Sequence, residues 1–119
     1  MKEEKVYEFK KYSKMVEDLC HNTLNRIIDQ MNKNPEHCKK LGEYVKLCII
    51  VEKLCNYSCS ICCNCNITKH LLNECKVKCS LMVKCCSEIE KIKISKKDKD
   101  HISCGKMSKI CKKLMKMCN

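Results

Sequence analysis

The cysteines of this chain return at helical intervals, and that spacing constrains the fold more than any other feature. Cys48, Cys55 and Cys62 are seven apart, and Cys59 follows Cys55 by four. Cys75 and Cys79 are four apart, Cys86 comes seven later, and Cys104, Cys111 and Cys118 repeat the interval of seven. Side chains three, four or seven apart on an α-helix stack on one side. The thiols therefore occupy positions where a bundle ordinarily keeps leucine.

The rest of the chain agrees with helices. Two Gly and one Pro in 119 residues leave little material for hairpins. A helical stripe over 4–33 runs through Phe9, Tyr12, Val16, Leu19, Cys20, Leu24, Ile27, Ile28 and Met31. Asn34 reads as the cap of a second helix, with Pro35 at its first position. That helix, over 35–63, faces inward with Leu41, Tyr44, Val45, Cys48, Val51, Cys55, Cys59 and Cys62, with Cys38 beside them. Cys65 falls in the link to a third helix over 67–94, whose inward face is Leu72, Cys75, Cys79, Met82, Cys86 and Ile89. Ser95 and Asp98 resemble a capping box for a fourth helix. Cys104, Met107, Cys111, Leu114 and Cys118 form its a/d seam. The expected fold is all-α: one domain over 1–119, an up-down-up-down four-helix bundle with a cysteine-lined core.

Fifteen cysteines in a short chain would fit a secreted disulfide scaffold on composition alone. The charged N-terminus lacks an apolar signal core, and the count is odd. Bridges between cysteines three or four apart would close tiny loops and constrain little of the unfolded chain. Free thiols in a reducing, cytoplasmic setting are the expectation. No stretch approaches the ~18 apolar residues of a membrane span. The net charge of +11 is almost entirely Lys, with Arg26 the single arginine. Bidentate Arg contacts and stacking aromatics are scarce, so a basic nucleic-acid-binding bundle ranks last among the readings.

Inward thiolates are soft ligands that select Cu(I), zinc or iron–sulfur clusters. Cβ atoms four apart on a helix are ~5–6 Å apart, so Cys55 with Cys59, or Cys75 with Cys79, can span one two-coordinate Cu(I). Zinc prefers four ligands from Cys-x-x-Cys knuckles, a spacing present in Cys59–Cys62 and Cys62–Cys65. A zinc-stabilised helical interaction protein is the alternative on that ground. Iron–sulfur sites usually lie in Gly-bearing loops, which this chain lacks. Any single inward cysteine also serves as a small hydrophobe. Cys63 and Cys85 fall off the inward faces and are read as packing, Met82 and Met107 as core filler, and His21 and His70 as surface residues. No arrangement for nucleophilic or acid–base catalysis is present, so no enzyme is expected.

The layout resembles the cysteine-rich four-helix-bundle copper storage proteins. Asp100-His101 precedes a final helix carrying Cys104, Cys111 and Cys118; the middle helices carry Cys-x-x-x-Cys pairs; His37-Cys38 opens the second helix. The resemblance implies a bundle whose thiolates hold many Cu(I) ions in the cytosol, for storage or detoxification, with a copper chaperone or exporter as exchange partner. The ligands on this reading are Cys20, Cys38, Cys48, Cys55, Cys59, Cys62, Cys65, Cys75, Cys79, Cys86, Cys104, Cys111 and Cys118. The first helix offers only Cys20, where family members usually supply more thiols, and the surface is rich in Lys and Asn rather than Ala. Both departures lower the expected capacity. His37 and His101 fall at one end with Gly42 and Gly105, so that end is the expected way in for metal, the glycines marking thin walls or close helix approach.

Overall fold

The computed structural model describes residues 3–60 and 66–118, with side chains described for 7–58 and 69–118. Four long helices carry the fold: α1 (Glu3–Lys33), α2 (Cys38–Ser60), α3 (Asn66–Glu90) and, beyond a short α4 (Lys96–Ile102), α5 (Cys104–Met117). α1 packs on α2, α2 on α3, α3 on α5 and α5 back on α1, which closes a ring of antiparallel neighbours. The result is an all-α bundle measuring 46 × 20 × 20 Å. The fourth expected helix is split into α4 and α5, so the four long helices are unequal in length.

The buried positions explain the ring. On α1 they are Phe9, Ser13, Val16, Cys20, Thr23, Ile27 and Gln30; on α2, Leu41, Tyr44, Cys48, Val51, Cys55 and Ser58. On α3 they include Cys75, Cys79, Met82, Cys86 and Ile89, and on α5 Cys104, Met107, Cys111 and Leu114. Each series advances by alternating threes and fours, the a/d seam that lets helices run nearly antiparallel over their length. The seam of α1 differs from the apolar stripe read in its sequence. Ser13, Thr23 and Gln30 are buried, while Ile28 is exposed and Leu24 only half-buried. Thr23 donates its hydroxyl to the Leu19 carbonyl at 2.7 Å, and Gln30 accepts from Asn34 at 3.1 Å, so these polar groups are satisfied within α1 and its terminus. Ser58 Oγ is buried with no partner among the described residues.

Two expected boundaries move. Asn34 holds the N-cap position, with Pro35 first, of the 3-10 turn that leads into α2, but it makes no side-chain capping bond; its amide instead donates back to the Gln30 carbonyl and side chain at the end of α1. Pro35–His37 form a 3-10 turn before α2 begins at Cys38. α3 ends at Glu90, short of the expected 94, and the Lys-rich stretch after it is the connection to α4. Ser95 does cap α4, accepting from the Asp98 amide at 3.1 Å.

Ser103 separates α4 from α5 with a left-handed backbone at φ 61°. The left-handed region is uncommon for a residue with a Cβ. Here it ends α4 through Ser103 N to Lys99 O at 3.2 Å and starts α5 through Met107 N to Ser103 O at 3.0 Å. Beyond this break α4 lies against α1, and Ile102 is buried in the core. Tyr44 donates its hydroxyl to the Ile102 carbonyl at 3.2 Å, which fixes this closure from the α2 side.

Candidate metal centre

The structure brings the inward thiols together in two neighbouring groups. Nearer the end that holds the starts of α2 and α5, Cys20, Cys48, Cys86 and Cys104 come from four different helices and surround the buried Tyr44. Cys20 Sγ lies 3.5 Å from the Cys48 carbonyl. Toward the other end, Cys55, Cys75, Cys79, Cys111 and Cys118 form the second group, with Cys55 Sγ 3.6 Å from Cys75 Sγ across the α2–α3 seam. Cys111 is close enough to feel both Cys79 and Cys86, so the groups form one file of sulfur along the axis.

Burial and mutual contact set the protonation of these thiols. Cys48 is raised well above the ordinary thiol value by its hydrogen bond with Cys20 and by burial. Cys75 is raised through Cys118, Cys55 and Cys79; Cys104 through Cys86 and burial; Cys111 through Cys79 and burial. Cys79 moves the other way, because Cys111 and Cys75 both act as donors toward it. Cys48, Cys75, Cys104 and Cys111 are thus held toward the neutral thiol, while Cys79 is drawn toward the thiolate. Any ion binding several of these sulfurs must displace protons.

The placement of individual residues is uneven. Cys20, Cys48, Cys55, Cys75, Cys79, Cys86, Cys104 and Cys111 are buried as expected, and Cys118 is half-buried beside them. The side chain of Cys59, and Cys62 and Cys65 altogether, lie outside the described residues, as does Cys63. Cys38 is exposed and stands apart from the core. It is the first residue of α2, and Cα–Cβ bonds tilt toward a helix N-terminus, so its side chain projects off the end of the bundle. Cys104 is likewise first in its helix but is buried beside Cys86 and Tyr44.

Cys85, read as packing off the inward face, is 4% exposed. It flanks the a/d seam of α3, where a core-facing helical stripe is wider than two positions in seven. Its thiol approaches the Lys40 carbonyl, and burial pushes its pKa up to about 11 against the opposing pull of Lys40. The ion pair of Lys40 with Glu88 ties α2 to α3 nearby.

His37 and His101 are half-buried at the same end, on the 3-10 turn and on α4. Leu41, Tyr44, Ile89 and Ile102, all 1% exposed or less, fill the bundle at this end. The glycines do not mark close helix approach. A Cβ at Gly42 would meet Met31 at an ordinary 3.7 Å, and one at Gly105 would meet nothing within 4 Å.

A second ligand cluster escaped the sequence reading. Glu17 and His21 on α1 meet Glu52 on α2, with ligand atoms of all three within 4.8 Å of one another. The spacing of four between Glu17 and His21 was a local signal; the arrival of Glu52 from another helix had none. The thiols and this His/Glu cluster are both compatible with metal binding. No family model matches the chain, nor does any curated protein or solved structure. Among the described residues no helix is long and apolar enough to cross a membrane.

Proposed function

We propose that the chain sequesters Cu(I) in its thiol-lined interior, as a store or as protection against free copper. The observation that carries this reading is the convergence of nine buried or half-buried cysteines on one file at a/d positions of four helices. Packing alone favours Leu, Ile and Val, and each buried methylene forgone costs ~0.8 kcal/mol. A core that repeatedly places Cys at these positions gives up several kcal/mol of burial, which ligand chemistry accounts for.

The geometry suits a small soft ion. With metal–sulfur bonds of ~2.3 Å, two sulfurs facing across one ion are about 4.5 Å apart. Cys55 and Cys75, at 3.6 Å, reach that by a small side-chain rotation. The pair spans two helices, so an ion held there fastens α2 to α3. Two thiols binding one Cu(I) release two protons and leave a bis-thiolate complex of charge minus one. The surrounding lysines offset that charge. A copper chaperone or exporter would supply and withdraw the ion. Copper-edge X-ray absorption of the loaded protein tests the ligand set: a sulfur-only shell near ~2.3 Å is expected, and a shell dominated by nitrogen or oxygen would refute it.

A further inference from the structure

We propose that Glu17, His21 and Glu52 bind a divalent cation of zinc type in the groove between α1 and α2, separate from the thiol core. The donor set is two carboxylates and one imidazole. Such a set suits zinc and related divalent ions and is a poor match for Cu(I), which prefers sulfur. The proposal therefore does not rest on the copper reading.

The arrangement is largely formed already. His21 Nε2 lies 3.1 Å from Glu52 Oε1. Three ligands at zinc bond lengths of ~2.0–2.2 Å stand roughly 3.3–3.6 Å from one another, so the whole set, within 4.8 Å, closes by rotating side chains rather than backbone. Glu17 and Glu52 are partly sheltered at 29% and 19% side-chain exposure, while His21 at 64% opens the fourth position to water. An ion of charge +2 balances the two carboxylates that the fold places side by side. Lys14 competes for Glu17 at 3.5 Å, but it also pairs with Asp18 at 3.3 Å and keeps that partner when the ion binds. Since Glu52 is on α2, the ion pins α1 to α2. His21 adjoins Cys20, and Glu52 lies one turn beyond Cys48, so this oxygen–nitrogen site sits outside the thiol group of Cys20, Cys48, Cys86 and Cys104.

Co2+ added to the reduced apoprotein without oxygen separates the two chemistries. Cobalt on thiolates gives intense sulfur-to-metal charge-transfer absorption. Cobalt on His21 and the glutamates gives weak visible bands and paramagnetically shifted His21 ring protons. One such ion per chain, displaced by Zn2+, is the expected result. His21→Ala and Glu52→Gln, checked for unchanged helicity, should each weaken it at least about tenfold, the loss that even an outer-shell partner typically causes. Absence of shifted His21 resonances, or binding as tight in the variants as in the unaltered chain, would overturn the proposal and leave Glu52 and His21 as an interhelical ion pair. The charge-transfer bands report the thiols separately, so this site and the core fail or stand independently.

Discussion

At the scale of single residues, each thiol acts through its neighbours. Cys55 and Cys75 share one site on the proposed reading, so their removal should not add. Cys55→Ala and Cys75→Ala should each lower Cu(I) capacity by about one ion, and the double variant by the same one, as counted by anaerobic titration. Loss of twice as much in the double variant would separate the two sulfurs. The protonation shifts also have a sign that can be tested without metal. Cys48, Cys75, Cys104 and Cys111 keep their protons in the folded core above the ordinary thiol value of 9.0, and Cys85 does so up to about 11. Above that ordinary value the unfolded chain binds fewer protons than the folded one, so stability falls as pH rises. This contribution is complete below pH ~9 and is lost progressively above it, at up to about 1.4 kcal/mol per pH unit for each such thiol. Cys79 has the opposite sign and plays no part in that loss. Urea midpoints of the reduced apoprotein at several pH values between 7.5 and 10.5 check the slope; a flat profile would mean that the thiols reach solvent.

At the scale of elements, Ser103 decides how the core is closed. Its left-handed backbone carries a Cβ where glycine would be relaxed, at a cost of ~1–2 kcal/mol. Ser103→Gly should leave stability unchanged or raise it by up to about 1 kcal/mol after the unfolded-state entropy of glycine is counted. Ser103→Val should lower it by about 1–2 kcal/mol and increase exposure of Cys104 to thiol reagents. Hydrogen exchange of α4 and thiol labelling report both effects. This break was invisible in the sequence, because the left-handed position carries serine, the nearby Gly105 lies inside α5, and the Cys104–Cys118 periodicity begins only after it. What was legible was periodicity: the spacing of Cys48, Cys55, Cys75, Cys79, Cys86, Cys104 and Cys111 gave their inward faces correctly. What was not legible was the effect of helix ends and neighbours. Cys38 had the right phase but is exposed at the very start of its helix, Cys85 lay beside the seam, and α1 buried Ser13, Thr23 and Gln30 where hydropathy favoured Ile28. Those outcomes depend on what each position meets, which no local interval records.

At the scale of the molecule, a buried file of thiols sits inside a chain of formal net charge +11. Each Cu(I) that displaces two thiol protons lowers the net charge by one, so about seven ions on fifteen thiols would bring it to roughly +4. Native electrophoresis should show stepwise loss of cathodal mobility during loading, with two protons released per ion in a weakly buffered solution. Mobility that rises with added copper would mean uptake without deprotonation, at groups other than these thiols. The most direct measurement is the stoichiometry itself: anaerobic Cu(I) titration of the reduced apoprotein against a competing chelator. The account predicts tight uptake of several ions per chain, about seven at two thiolates each and more where sulfurs bridge, by a protein already helical before metal is added. Uptake of a single ion, or a requirement for zinc before the helices form, would contradict it.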